Sequence, residues 1–198
     1  GGACVHIFWC DITPILDEPD PFIRWCNAKG HSLAPYLRLD DAMRHLTGLH
    51  LRSLAGAESR HSADSISVSH SGGLVVCARG SAPLGIDTEA LCPSAAPLPL
   101  DSLTEPERQW VASQKQSLPA FLRLWTRKES LIKAEKSTLA RMFSLPSLVE
   151  NGVLVKQVGS VCFQELPILP DQYVTVLCAA PPIQTELFSL AFQQVFPL

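Results

Sequence analysis

The chain has 198 residues, 46% of them hydrophobic and 18% charged, with a net charge of −3. That is enough apolar sequence to bury a core in one domain or two small ones, and too little polarity for long disorder. The mild acidic balance leaves no electrostatic footprint for nucleic acid, and no apolar run reaches the roughly 18 residues a membrane span needs.

Taken in chain order, Gly1 and Gly2 carry no argument. Val5–Ile12 reads as an opening strand; its apolar part is short, lacks a basic flank and runs into Asp11, so no signal peptide is expected. Leu39, Met43, Leu46 and Leu54 recur at helical spacing over 39–54. Ser65–His70 alternates, with Ile66, Val68 and His70 on one face and serines between them. Ser71-Gly72-Gly73 is turn chemistry and Leu74–Ala78 a second strand, so the two form a hairpin. Leu84–Ala90 is a third strand beside it.

Composition then shifts. Cys92–Leu100 carries Pro93, Pro97 and Pro99 and reads as a linker. Thr104 with Glu107 three residues on marks a helix start, and Pro119 suits the first turn of a helix running to about Lys136. Strands follow at 153–158, 160–164 and 173–179. The expected fold class is α+β, as two α/β halves: residues 1–92, a proline-rich linker at 93–100, and residues 101–198. The seven cysteines, an odd number with no zinc or redox spacing, read as reduced thiols in the core, which points to a cytoplasmic protein.

Three segments carry candidate chemistry. In Gly85-Ile86-Asp87-Thr88-Glu89, strand geometry sends Asp87 and Glu89 to the same side. Two carboxylates so close repel unless a cation lies between them, and Mg²⁺ is a natural guest for oxygen ligands. Taken alone, the pair suits a solvated strand end equally well. In the helix beginning near Phe121, Glu129 falls on or beside the apolar face, where a carboxylate is costly unless paired or metal-bound. Pairing with Lys133 along the helix explains it as simply as a metal would. His70 ends its strand at a turn whose N–H groups suit a phosphate, although a histidine on an apolar strand face is equally a core residue. His6, His31, His45, His50 and His61 form no metal spacing, and no Walker loop, G-x-G-x-x-G or G-x-S-x-G occurs.

Ser67-Val68-Ser69-His70-Ser71-Gly72, Gly85-Ile86-Asp87-Thr88-Glu89 and Trp125-Thr126-Arg127-Lys128-Glu129-Ser130 with Lys133-Ala134, in that order, resemble the 4′-phosphopantetheinyl transferases of the larger, monomeric, surfactin-synthetase-activating type. Asp41-Ala42-Met43-Arg44, followed by Gly48 and Arg52, is similar to that family's arginine-bearing helix.

The resemblance implies two pseudo-symmetric α+β halves with the substrate between them. It implies Mg²⁺-dependent transfer of 4′-phosphopantetheine from coenzyme A to a serine of an apo acyl or peptidyl carrier protein, releasing 3′,5′-ADP. Asp87, Glu89 and Glu129 would hold Mg²⁺, with Mn²⁺ also suited to oxygen ligands. Glu129 would be the base, His70 and Lys133 would meet phosphate, and Lys128 would assist. Arg44 and Lys29 would reach the 3′-phosphate and adenine, and Glu105 would lie near the metal.

The family's Gly-Lys-Pro stretch is replaced here by Glu58-Ser59-Arg60-His61-Ser62. The basic excess from Lys115 to Arg141 would steer an acidic carrier, and Leu139, Met142, Phe143 and Leu145 would supply an apolar docking patch. Two other readings stay open: another Mg²⁺-dependent enzyme of nucleotide pyrophosphates, and a non-catalytic regulator that binds coenzyme A or a carrier protein.

Overall fold

The computed structural model describes residues 4–57, 64–93 and 96–197. The segment Glu58–Ser62 lies outside the described residues, as does part of the expected linker.

Strand β1 (Cys4–Asp11) alternates: Phe8 and Cys10 face one side, Val5 and Ile7 the other. Two unforeseen helices follow, α1 (Thr13–Asp17) and α2 (Asp20–Lys29), each with proline in its first turn, where the missing N–H costs nothing. Helix α3 (Leu39–Ala57) opens on Asp40 and Asp41, which complement its positive N-terminal end. Strands β2 (Ser65–Ser71) and β3 (Leu74–Gly80) pair antiparallel across Gly72-Gly73, with Gly72 in the left-handed region at φ 55°. Strand β4 (Leu84–Ala90) follows. Thr104 caps α4 (Glu105–Ser113), its hydroxyl accepting from the Glu107 N–H and donating to the Glu107 carboxylate at 2.9 Å. Helix α5 (Ser117–Ala134) is the second long helix.

The remaining strands are β5 (Val149–Glu150), β6 (Val153–Leu154), β7 (Gln157–Val158), β8 (Val161–Glu165), β9 (Tyr173–Ala179) and β10 (Gln184–Ser189). A short helix α6 (Phe192–Val195) closes the described chain.

Two four-stranded sheets result, ordered β10-β1-β3-β2 and β4-β9-β8-β7. Strand β4 takes its ladder partner from β9, not from the neighbouring hairpin, and β10 runs parallel to β1. Each sheet therefore draws a strand from across the boundary expected at residues 93–100.

One face of the first sheet packs on α2 and α3 through Phe8, Val75 and Cys77. Its other face meets the second sheet through Ile7, Leu74, Val76, Ile86 and Leu177. Strand β3 is buried at every position because both its faces are covered. Burying an aliphatic chain such as Ile86 stabilises by about 1.5–3 kcal/mol, so the face between the sheets is a principal anchor for β4. Helices α4 and α5 cover the far side of the second sheet.

All seven cysteines are free thiols. Cys10, Cys26, Cys77 and Cys178 are buried as expected, whereas Cys92 is exposed. Among the described residues no helix is long and apolar enough to cross a membrane.

Candidate active site

Gly85 sets the geometry. A Cβ there would lie 2.0 Å from the Ser130 carbonyl oxygen and 2.7 Å from the Ala134 nitrogen. Only glycine lets α5 approach β4 this closely. The approach brings Lys133 to the strand. Its ammonium donates to the Ile86 carbonyl at 3.0 Å, the Asp87 Oδ1 at 3.1 Å and the Val68 carbonyl at 3.3 Å. All three donors are engaged, so Lys133 ties β2, β4 and α5 together. Its ion pair is with Asp87, not with Glu129 one turn earlier on its own helix.

Beside this, β2 meets β4 through side chains. Ser67, Ser69 and Ser71 accept from the backbone N–H groups of Ile86, Thr88 and Ala90 at 3.1, 3.2 and 3.0 Å. These hydroxyls stand in for a ladder between the edges of the two sheets. The same hydroxyls reach the acids: Ser69 donates to Asp87 Oδ1 at 3.0 Å and Ser71 to Glu89 Oε2 at 3.3 Å. The sequence reading placed serines on this strand and gave them no part in the site. The signal was present, because Ser67, Ser69 and Ser71 share the period of two that groups Asp87 with Glu89.

The acids crowd one another. Asp87 is 4% exposed, and burial raises its carboxyl although Lys133 and Ser69 pull it down. Glu89 is raised to about 7, by burial first and then by Asp87. Glu129 is raised by burial and by Asp87. Asp87 Oδ2 is buried and has no hydrogen-bond partner.

A set of oxygen donors with an orphaned, inward carboxylate oxygen fits a hard divalent cation. Mg²⁺ needs only one or two carboxylates and completes its shell with water and phosphate. The arrangement is open. Among the described residues the one set of three metal-type ligand atoms within 4.8 Å of each other is Cys4, His6 and Glu186. That cluster lies on β1 and β10, and the Arg79 guanidinium is held against His6 Nδ1 at 2.5 Å.

His70 stands at the end of β2, on the α3 side, where partial burial and then Arg44 and Lys133 lower its pKa. The imidazole is therefore neutral at neutral pH and can serve as donor and acceptor. Arg44, from α3, donates to the Gly72 carbonyl at 2.7 Å and pairs with Asp40 and Asp41 at 3.2 Å each. The hairpin turn thus gathers His70 and Arg44.

Three expected residues stand apart. Lys128 is fully buried and paired at 2.8 Å with Glu107, itself fully buried, and donates to the Ser102 carbonyl. It cannot meet a phosphate without leaving a buried carboxylate unpaired. Its helical neighbour Glu129 lies on a different face of α5, half-buried and within electrostatic reach of Asp87 and Lys133. Lys29 is exposed in the last turn of α2. Glu105 faces solvent and pairs with Arg108 at 2.8 Å.

The basic stretch is largely neutralised: Arg123 and Arg127 pair with Glu165, Arg141 with Glu135, and Lys133 with Asp87. In the apolar stretch, Met142 and Leu145 are core, whereas Leu139 and Phe143 are 63% and 77% exposed.

Residues 83–173 match the family model described as the 4′-phosphopantetheinyl transferase superfamily. The chain is also similar to a 4′-phosphopantetheinyl transferase of Bacillus subtilis, 33% identical over 127 residues, a match that takes in 58% of this chain. The chain spans about half of that relative, 54% of its length. The family-model match contains β4, α5 and the whole Asp87–Glu89–Glu129–Lys133 cluster, so the part of the chain that carries the candidate site is similar to the 4′-phosphopantetheinyl transferase superfamily.

Proposed function

We propose that this chain transfers the 4′-phosphopantetheine group of coenzyme A to a serine hydroxyl of an apo acyl or peptidyl carrier protein, releasing 3′,5′-ADP. It would act as a monomer of the larger type, with its two sheets as the counterpart halves around the substrate. The observation that carries the reading is the crowded acid cluster, in which Asp87 Oδ2 is buried without a partner beside Lys133.

Asp87, Glu89 and Glu129 are the residues that would hold Mg²⁺, and the ion would supply charge neutralisation on the phosphate oxygens. Glu129, made more basic by burial and by Asp87, takes the proton of the attacking serine. A bond forms from the serine oxygen to the phosphorus that bears the pantetheine arm. The bond from that phosphorus to the bridging oxygen breaks, and the bridging oxygen leaves with 3′,5′-ADP. Lys133 holds Asp87 in place and adds positive charge beside the phosphates, while neutral His70 and Arg44 offer donors at the hairpin turn.

The test is incubation with Mg²⁺, coenzyme A and a panel of apo carrier proteins, read by mass spectrometry. One phosphopantetheine should be added per carrier, and Glu129→Gln, folded as judged by circular dichroism, should transfer at least about 100-fold more slowly. No added mass on any carrier would sink the reading. Binding of coenzyme A without transfer would instead make the chain a regulator.

A further inference from the structure

Strands β2 and β4 belong to different sheets, and the seam between them rests on the hydroxyls of Ser67, Ser69 and Ser71. Lys133 pins one end of the seam by donating to the Val68 and Ile86 carbonyls. At the other end Ser71 meets Glu89, and at 3.3 Å this is the longer of the two serine–acid bonds. The Lys133 donors are spent on Val68, Ile86 and Asp87, so that end needs a different tie.

Tyr173 supplies it. This first residue of β9 stands opposite Ala90, is 7% exposed and has its ring in the apolar face between the sheets. Its hydroxyl oxygen accepts from the buried Gly73 N–H at 2.9 Å. A Cβ on Gly72 would lie 3.2 Å from that oxygen and 3.5 Å from the Ala90 Cβ, so the hairpin turn rests directly on the second sheet. Two other bonds hold the turn: the Ile12 N–H donates to the Gly73 carbonyl at 2.7 Å and Arg44 to the Gly72 carbonyl. Both come from the first sheet and its covering helix, whereas Tyr173 belongs to the sheet that carries Glu89. Phenylalanine would fill the same apolar space. What the phenol adds is a partner for a buried N–H.

We propose that Tyr173 is a positioning residue of the acid cluster: by fixing the hairpin turn against β4 and β9, its hydroxyl sets the place at which Ser71 holds Glu89 for a divalent cation. This rests on the cation site of the proposed function. The chain of contacts is short. The Tyr173 oxygen holds Gly73, and two residues back the Ser71 hydroxyl accepts from the Ala90 N–H at 3.0 Å and donates to Glu89. Without the tyrosine bond the Gly73 N–H is buried and unpaired, and the turn must shift outward to reach water. Ser71 shifts with it, and Glu89 loses the hydroxyl that orients it. Partners that orient a metal ligand govern metal affinity along with the ligand itself.

The test is titration calorimetry with Mg²⁺ alone on the parent chain, Tyr173→Phe, Glu89→Gln and the double variant. Tyr173→Phe, folded as judged by circular dichroism, should bind Mg²⁺ about tenfold more weakly. In the Glu89→Gln background the same change should have little further effect, because the group it positions is gone. Ser71→Ala removes the link between the turn and Glu89; it should weaken binding as much and make Tyr173→Phe silent. A Tyr173→Phe chain that melts earlier yet binds Mg²⁺ like the parent would overturn the proposal. Equal losses with and without Glu89, or a Ser71→Ala chain with the parent's affinity, would overturn it too. A parent that binds no Mg²⁺ sinks the cation site and this proposal together. A chain that follows the expected pattern but transfers nothing to any carrier keeps the clamp and loses the transferase reading.

Discussion

At the scale of single residues, the site is a balance between buried negative charge and a few well-placed donors. Ser69 holds both sides of it: its oxygen accepts from the Thr88 N–H and its proton goes to Asp87 Oδ1. Ser69→Ala should therefore leave the N–H unpaired and the carboxylate unsteadied, at a cost of about 1–2 kcal/mol in stability. Supporting partners of metal ligands typically govern affinity as well, so the Mg²⁺ concentration for half-maximal transfer should rise about tenfold. Urea unfolding checks the first and a Mg²⁺ titration of transfer the second; an unchanged Mg²⁺ requirement would confine Ser69 to a structural seam.

The acids and Lys133 were legible in the sequence because strand and helix periods place them. The burial of Lys128 was not. Its partner, Glu107, is on another helix, and no local period reports a contact of that kind.

At the scale of elements, local rules located what is locally determined. The β2–β3 hairpin followed from alternation and a Gly-Gly turn, α4 from its cap, α3 and α5 from apolar spacing. What escaped was partner choice. Strand β4 reads as the hairpin's third strand, yet its ladder is to β9, with Asp87 opposite Val176. The serine hydroxyls of β2 satisfy β4's free edge, and nothing in a period of two announces that substitution. Helices α1 and α2 and strand β10, beside β1, also went unread.

Gly85 is the element-scale hinge of the site, because the backbone of α5 rests on it. Gly85→Ala should destabilise the fold by about 3 kcal/mol, since the clash is with helix backbone that cannot rotate aside. Folded molecules of the variant should also transfer poorly, because moving α5 moves Glu129 and Lys133 together. Chemical denaturation with a parallel rate measurement checks this; a stable and active Gly85→Ala chain would refute the packing argument.

For the molecule as a whole, the acid cluster couples folding to pH and, on the proposed function, to metal. Burial raises the carboxyls of Asp87, Glu89 and Glu129, the charge of Asp87 raises the last two further, and Glu89 moves from 4.5 to about 7. An acid whose pKa is higher in the folded state favours folding when protonated. The metal-free chain therefore loses stability as pH rises from about 4.5 through about 7, where folding must confine the ionised groups. A divalent cation held as proposed would reverse this, because it would bind the ionised, folded form and stabilise it in proportion to the logarithm of its concentration.

The increase in melting temperature that Mg²⁺ gives over chelator should therefore be larger at about pH 8 than at about pH 6, where a proton competes for Glu89. Glu89→Gln should flatten that dependence by removing the group that titrates in this range. Differential scanning fluorimetry across pH, with and without Mg²⁺, measures both. Taking the difference at each pH cancels the remaining titratable groups, such as Asp40 beside Arg38 and Glu165 beside Arg123. A Mg²⁺ increment that is constant with pH would mean that the cation does not bind at these carboxylates.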